Sequence, residues 1–85
     1  MEDDLRFTQS LGKWEAALAV FQAMVKRDSR LRAVEFRGNT RMGGTITIGL
    51  HLPGGWTGEI WSVVEAHARK LEKQYPGLVL LPEQV

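Results

Sequence analysis

The stretch 45-TITIGLHL-52 constrains the fold most, because aliphatic residues alternate strictly with small or polar ones. In an extended chain the aliphatic residues lie on one side, which is the pattern of a strand with one buried face. The shorter run 32-RAVEFR-37 alternates in the same way, with Val34 and Phe36 on one side. Since the glycine-rich stretch 38–44 separates the two runs, the sequence predicts a β-hairpin.

Apolar residues that recur at steps of three and four predict a first amphipathic helix at about residues 11–28. Ser10 is its expected N-cap. Leu11, Trp14, Leu18, Phe21 and Val25 form its apolar stripe.

A second helix is predicted after the break at 53-PGG-55, with Thr57 as its N-cap. Trp56 and Trp61 then have the spacing of a hydrophobic staple, in which the residue before the cap packs on the fourth helical position. The pair 76-PG-77 is expected to end this helix.

Two short apolar runs complete the predicted elements. The tail 78-LVLL-81 reads as a strand that Pro82 ends, and 5-LRFT-8 as a weaker first strand. The order strand, helix, strand, strand, helix, strand predicts an α+β fold of the ferredoxin-like βαββαβ class, a two-layer sandwich with two helices on one face of a four-stranded antiparallel sheet. If residues 5–8 are not a strand, the alternative is an αββαβ domain whose exposed sheet edge is completed by a partner chain.

Length and residue content limit the function. With 85 residues, the chain is expected to form a single domain, 1–85. It has no cysteine, which excludes disulfides, thiolate metal sites and cysteine nucleophiles. Its two histidines, His51 and His67, lack the spacing of a metal-binding or catalytic motif. We therefore predict a protein that is not an enzyme and uses neither a cofactor nor a metal.

The location is predicted from the same composition. The N-terminus, 1-MEDDLRF-7, is acidic where a secretory signal would be basic and then apolar. The longest uncharged stretch, 42–58, is interrupted by glycines and a proline and cannot form a spanning helix. We expect a cytoplasmic protein that does not enter a membrane.

A basic cluster at residues 26–41 is the basis of one alternative function, nucleic-acid binding. The formal net charge is only +1, so such binding would depend on local clustering. The stretch 41-RMGGTITI-48 lacks the aromatic residues that stack on bases, and the cluster would have to act through phosphates. Its members are Lys26, Arg27, Arg30, Arg32, Arg37 and Arg41.

The leading hypothesis is a small non-enzymatic protein-interaction module that self-associates or docks on a protein partner. Three tryptophans in so short a chain are not expected to be all fully buried, and the open face of the sheet is a possible docking platform. The predicted partner-binding residues are Trp14, Trp56, Trp61, Arg37 and His51. A further alternative is a small-ligand sensor that uses the open face around His51.

Overall fold

The computed structural model describes the backbone of residues 2–85 and the side chains from Trp14 onward. In chain order its elements are α1 (Glu2–Arg27), a short 3₁₀ helix (Ser29–Leu31), β1 (Glu35–Met42), β2 (Thr45–His51), α2 (Gly58–Gln74) and β3 (Val79–Gln84). The predicted α+β class agrees with this structure.

The sheet has three strands in the order β1-β2-β3. β1 is antiparallel to β2, and β3 is parallel to β2, so the predicted ferredoxin-like four-stranded antiparallel sheet is wrong. The reason is local. Residues 5–8, predicted as the central strand, lie within α1, and β3 consequently pairs directly with β2. The helix, strand, strand, helix, strand order is that of the αββαβ alternative, in which completion of the sheet by a partner stays a prediction.

The start of α1 corrects a second prediction. The helix begins at Glu2, so Ser10 does not cap it and the predicted start at residue 11 is wrong. Acidic residues in 1-MEDD-4 favour a helix start, because the positive end of the helix dipole attracts negative charge. The alternation in 5-LRFT-8 covers only four residues, which is too short to outweigh this preference for a helix.

The hairpin is confirmed, although its first strand covers Glu35–Met42 and not the predicted 32–37. Its turn is only Gly43-Gly44, and a φ of +61° at Gly43 is the conformation that a type II′ turn requires at its first central residue. Residues 38–42, which were also expected in the turn, belong to β1. A bulge between Phe36 and Asn39 accommodates them, with Gly38 at a φ of +118°.

The core lies between the sheet and the helices. The inward side of β2 is buried at Ile46, Ile48 and Leu50, as the alternation predicts. Both helices contribute buried residues to the same cluster, so they cover one face of the sheet and leave the other open. The rest of the buried core is Ala17, Phe21, Val25, Leu31, Val34, Leu52, Val64, Ala68, Leu71, Leu78 and Leu80.

The predicted start of α2 is confirmed. The Thr57 hydroxyl accepts a hydrogen bond from the Ile60 N–H at 3.2 Å, which satisfies one of the free donors at the helix start. Trp56 and Trp61 meet edge to face, with ring centroids 4.9 Å apart. Their contact is the predicted staple.

The predicted end of β3 at Pro82 is wrong, because β3 runs through this residue to Gln84. β3 is an edge strand, and its outward-facing backbone groups need no neighbouring strand. Proline is tolerated at such a position because its missing N–H removes no hydrogen bond of the sheet.

Close approach of two loops makes Gly44 sensitive to substitution. A Cβ at this position would lie 2.5 Å from the Gly77 carbonyl oxygen, a backbone atom. We expect Gly44→Ala to lower the free energy of unfolding by about 1–3 kcal/mol, the usual cost of overpacking. Urea denaturation would measure this change. Gly58→Ala is the matched control, since its added methyl would meet nothing within 4 Å; an equal loss in both variants would contradict the prediction.

Candidate functional site

The face of the sheet that the helices leave uncovered, here called the open face, is the candidate site. On β2 it is formed by Thr45, Thr47, Gly49 and His51, which alternate with the buried aliphatic residues and are partly exposed. Ladder partners share a face of the sheet. The register therefore places Val79, Leu81 and Glu83 beside Thr45, Thr47 and Gly49, and Met42 and Thr40 on the other side of the two threonines.

Exposed apolar side chains are concentrated on this face. Among the side chains from Trp14 onward, the exposed large hydrophobic ones are Met42, Val79, Leu81 and Val85, with 82, 42, 42 and 58% of their surface accessible. The register places the first three on the open face. Val85 joins them, because its Cγ2 lies 3.4 Å from the position that a Cβ of Gly49 would take.

The charged end of the open face surrounds Gly49. A shallow depression of about 350 Å³ lies there, and Arg37, Thr47, Glu83 and Val85 are among the residues that line it. Arg37 forms an ion pair with Glu35. The depression lies where Gly49 has no side chain. A Cβ at this position would lie 3.7 Å from Arg37 Cβ and would fill part of the space.

His51 lies at the margin of this region. Its Nδ1 is 2.8 Å from the Val85 carbonyl oxygen, so the ring can hold the chain after β3 against β2. Of the five residues predicted to bind a partner, Arg37 and His51 therefore lie at the charged end of the open face.

The three tryptophans do not form one cluster. Trp56 and Trp61 contact each other at the start of α2, while Trp14 lies near the other end of that helix, with its Cζ2 3.7 Å from the position of a Gly44 Cβ. All three are only partly exposed and pack against the core. Trp56 Nε1 is buried and has no hydrogen-bond partner in the described part of the chain. Their role in partner binding stays a prediction.

The basic residues predicted to bind nucleic acid are distributed along the molecule. Lys26 Nζ donates to the Val34 carbonyl oxygen at 3.2 Å and lies 5.6 Å from the Phe36 ring centroid. Arg30 forms an ion pair with Asp28, and Arg37 forms one with Glu35. Each carboxylate partly cancels the positive electrostatic potential of its arginine. Arg27 and Arg32 are exposed near the 3₁₀ helix, whereas Arg41 is near the hairpin turn at the far end of β1. The structure does not bring the six together as one patch.

Asp28 is the centre of a polar network that joins α1 to α2. Its Oδ1 accepts from Arg30 N and Nε, both at 3.0 Å. Its Oδ2 accepts from Arg30 Nη2 at 2.9 Å and lies 3.0 Å from His67 Nε2. The Arg30 guanidinium, the Arg30 backbone N–H and His67, in decreasing order, hold the pKa of Asp28 well below its ordinary value. His67 therefore has a structural role, because its contact with Asp28 joins α2 to the end of α1.

The two sheet edges are protected from strand addition. At β3 the Leu80 N–H donates to Glu72 Oε2 at 2.9 Å, and Arg69 Nη2 donates to the Leu80 carbonyl at 2.9 Å. Arg69 and Glu72 also pair with each other, with Nε and Oε1 3.2 Å apart. On β1 the bulge at residues 36–39 and the basic side chains oppose regular pairing.

Comparison with known proteins does not assign this site. The chain matches no protein-family model, and neither curated proteins nor solved structures show a significant similarity to it.

The described residues provide neither a membrane-spanning helix nor a group of metal ligands. Their helices do not combine the length and apolar character needed to cross a bilayer. The described side chains contain no group of three histidine and acidic residues that could hold a metal ion. The cytoplasmic location and the absence of enzymatic activity stay predictions from the sequence.

Sequence reasoning did not identify the apolar part of the open face. Met42, Val79, Leu81 and Val85 were not among the predicted site residues. The signal was present in 78-LVLL-81, where both sides of a strand are aliphatic, because an ordinary edge strand with one wet face would alternate.

The Asp28 network predicts a defined pH dependence of stability. Because the pKa of Asp28 is lower in the folded protein than its ordinary value near 3.8, ionised Asp28 stabilises the fold above that pH, and this contribution is lost as the pH falls below it. Asp28→Asn should therefore unfold more easily than the wild type at pH 7, with a difference that shrinks between about pH 4 and pH 2. Denaturation at several pH values would measure this.

Glu65→Gln is the control for this experiment, since it removes an exposed carboxylate of α2 outside the network. A difference between Asp28→Asn and the wild type that does not change with pH would contradict the assignment.

Proposed function

We propose that this chain is a protein-interaction module that docks through the open face of its sheet. The observation that supports the proposal is the distribution of apolar surface. The exposed large hydrophobic residues from Trp14 onward lie on that face or at its margin, with Met42 and Val79 in one row and Leu81 in the next. Exposed apolar side chains grouped on one surface mark interaction sites more often than isolated ones do.

The polar residues of the open face suit protein docking as well. Thr40, Thr45 and Thr47 contribute methyl groups beside the apolar residues and hydroxyl groups that can donate or accept hydrogen bonds. Arg37 and Glu83 flank the same surface. A protein interface commonly combines apolar contacts with polar groups that form hydrogen bonds, and the open face offers both.

Strand addition is a less suitable mode of docking for this sheet. Side chains of α2 occupy the backbone groups of Leu80, and Pro82 provides no N–H on the same edge. The bulge interrupts the β1 edge. A partner that binds the face meets neither obstacle, since it uses side chains and not the strand ladder.

The proposal predicts position-specific cross-linking in cells that produce the chain. A photo-reactive phenylalanine analogue at Thr47, in the middle of the open face, should form adducts with protein, because a docked partner would cover this position. The same group at Lys70, which is exposed on α2, should not. Denaturing gels and mass spectrometry would detect the adducts.

Leu81→Lys should abolish the Thr47 adducts, since a lysine there places a charge in the apolar contact, whereas Leu81→Met should retain them. Absence of adducts from Thr47, or equal adducts from Thr47 and Lys70, would contradict the proposal. Nucleic-acid binding through the basic cluster and small-ligand binding near His51 stay predictions that no specific contact favours.

A further inference from the structure

The two flanks of the open face, formed by β1 and β3, carry opposite charges at the same position along β2, which is called their height here. Arg37 lies on the β1 side of Gly49, and Glu83 is the ladder partner of Gly49 on the β3 side. Both side chains are exposed. Nearer the hairpin turn, Met42 and Val79 flank Thr45 in the same way. These two rows, at opposite ends of the face, each have flanks that complement each other, while the row between them has Thr40 on one flank and Leu81 on the other.

We propose that the occupant of the open face is a second copy of this chain, related by a two-fold axis that lies between the two sheets and parallel to β2. This inference rests on the proposed function and names its partner. Such an axis exchanges the β1 and β3 flanks and keeps each row at its height. Arg37 then faces Glu83 of the second copy, and Met42 faces Val79 of the second copy. Each of these contacts occurs twice.

Other two-fold arrangements fit the molecule less well. An axis between the sheets, perpendicular to β2 and level with Thr47, reverses the rows, so the apolar row with Met42 and Val79 meets the charged row with Arg37 and Glu83. The same axis level with Thr45 places Met42 and Val79 on their own copies, but it leaves the charged rows unpaired at opposite ends. An axis normal to the sheet joins two β1 edges, where the bulge between Phe36 and Asn39 disturbs the ladder. Only the axis parallel to β2 places apolar residues on apolar residues and opposite charges together.

The size of the open face limits the surface that this dimer can bury. Three strands about 4.8 Å apart and six residues at about 3.3 Å each give a contact surface of roughly 14 by 20 Å. This is less than the ~800 Å² per partner of a standard interface. We therefore expect a dimer that forms with increasing concentration, and not an obligate one.

Sedimentation of protein freed of nucleic acid, from about 1 µM to about 1 mM, tests the proposal by charge reversal. The wild type should dimerise in this range. Arg37→Glu and Glu83→Arg should each weaken the dimer by about tenfold or more, because each places like charges opposite each other twice. An equimolar mixture of the two variants should dimerise again, since in the mixed dimer both contacts join opposite charges.

Matched controls are Lys70→Glu and Glu65→Arg, two charge reversals on the exposed side of α2, which should leave the dimer unchanged. Circular dichroism of each variant would verify the fold. The proposal is wrong if the wild type stays monomeric, if the mixture does not recover, or if the controls weaken the dimer equally.

A second measurement does not depend on the charge variants. Thr47 lies directly opposite the proposed axis and faces Thr47 of the second copy across it, about 10 Å away at the usual distance between packed sheets. The chain has no cysteine, so Thr47→Cys provides one reactive thiol. A short bifunctional maleimide should link two copies of this variant but not of Lys70→Cys. No link at Thr47→Cys at concentrations where the wild type sediments as a dimer would contradict the geometry.

The two proposals fail in different ways. Adducts between Thr47 and another protein, together with a wild type that stays monomeric, would overturn the dimer and retain the docking function. The absence of any adduct at Thr47, together with a wild type that stays monomeric, would overturn both.

Discussion

The parallel pairing of β3 with β2 is the constraint on which the rest of the structure depends. Parallel strands cannot be joined by a tight turn, so the chain between them must cross over the sheet, and α2 is that crossover. The crossover and α1 cover the face of β2 that buries Ile46, Ile48 and Leu50. With both helices on that face, the opposite face stays open, and the pairing places Val79 and Leu81 on it.

The edges of this sheet are protected by specific contacts, whereas its open face is not. Edge protection is specific at β3, where the Arg69 and Glu72 side chains bond both backbone groups of Leu80. Natural proteins use such devices to prevent uncontrolled strand addition. The open face has no comparable protection, because its apolar residues alternate only with threonines over two rows. This difference supports docking on the face and not at the edge.

The elements that were predicted correctly are those whose signals are local. The hairpin follows from alternation and a glycine turn, and the start of α2 follows from the Thr57 cap and the packing of Trp56 on Trp61. The first helix was predicted to begin at about residue 11, which left residues 5–8 free for a fourth strand and placed Trp14 in the first turn of the helix. In the structure Trp14 lies in the middle of α1 and packs near Gly44, far from the other two tryptophans.

The partner of β3 could not be predicted in the same way, because strand pairing between distant segments leaves little trace in either segment alone. The run 78-LVLL-81 predicts a strand but does not say which of its aliphatic sides is buried. The structure buries Leu78 and Leu80 and exposes Val79 and Leu81. The apolar part of the candidate site depended on this choice, whereas Arg37 and His51 could be placed from the hairpin alone.

Apolar and charged residues have separate roles on the open face under the proposed arrangement. Apolar burial gives most of the association free energy, but it is non-directional and would tolerate a shift of the two sheets along their strands. The charged row resists such a shift, since a shift by two residues would move Arg37 and Glu83 away from each other. The charges would then lie opposite a threonine, an apolar residue or, for one Glu83, the like charge of Glu35. A weak apolar contact with one charged row can thus be specific, because the charges select the register at which the apolar rows also meet.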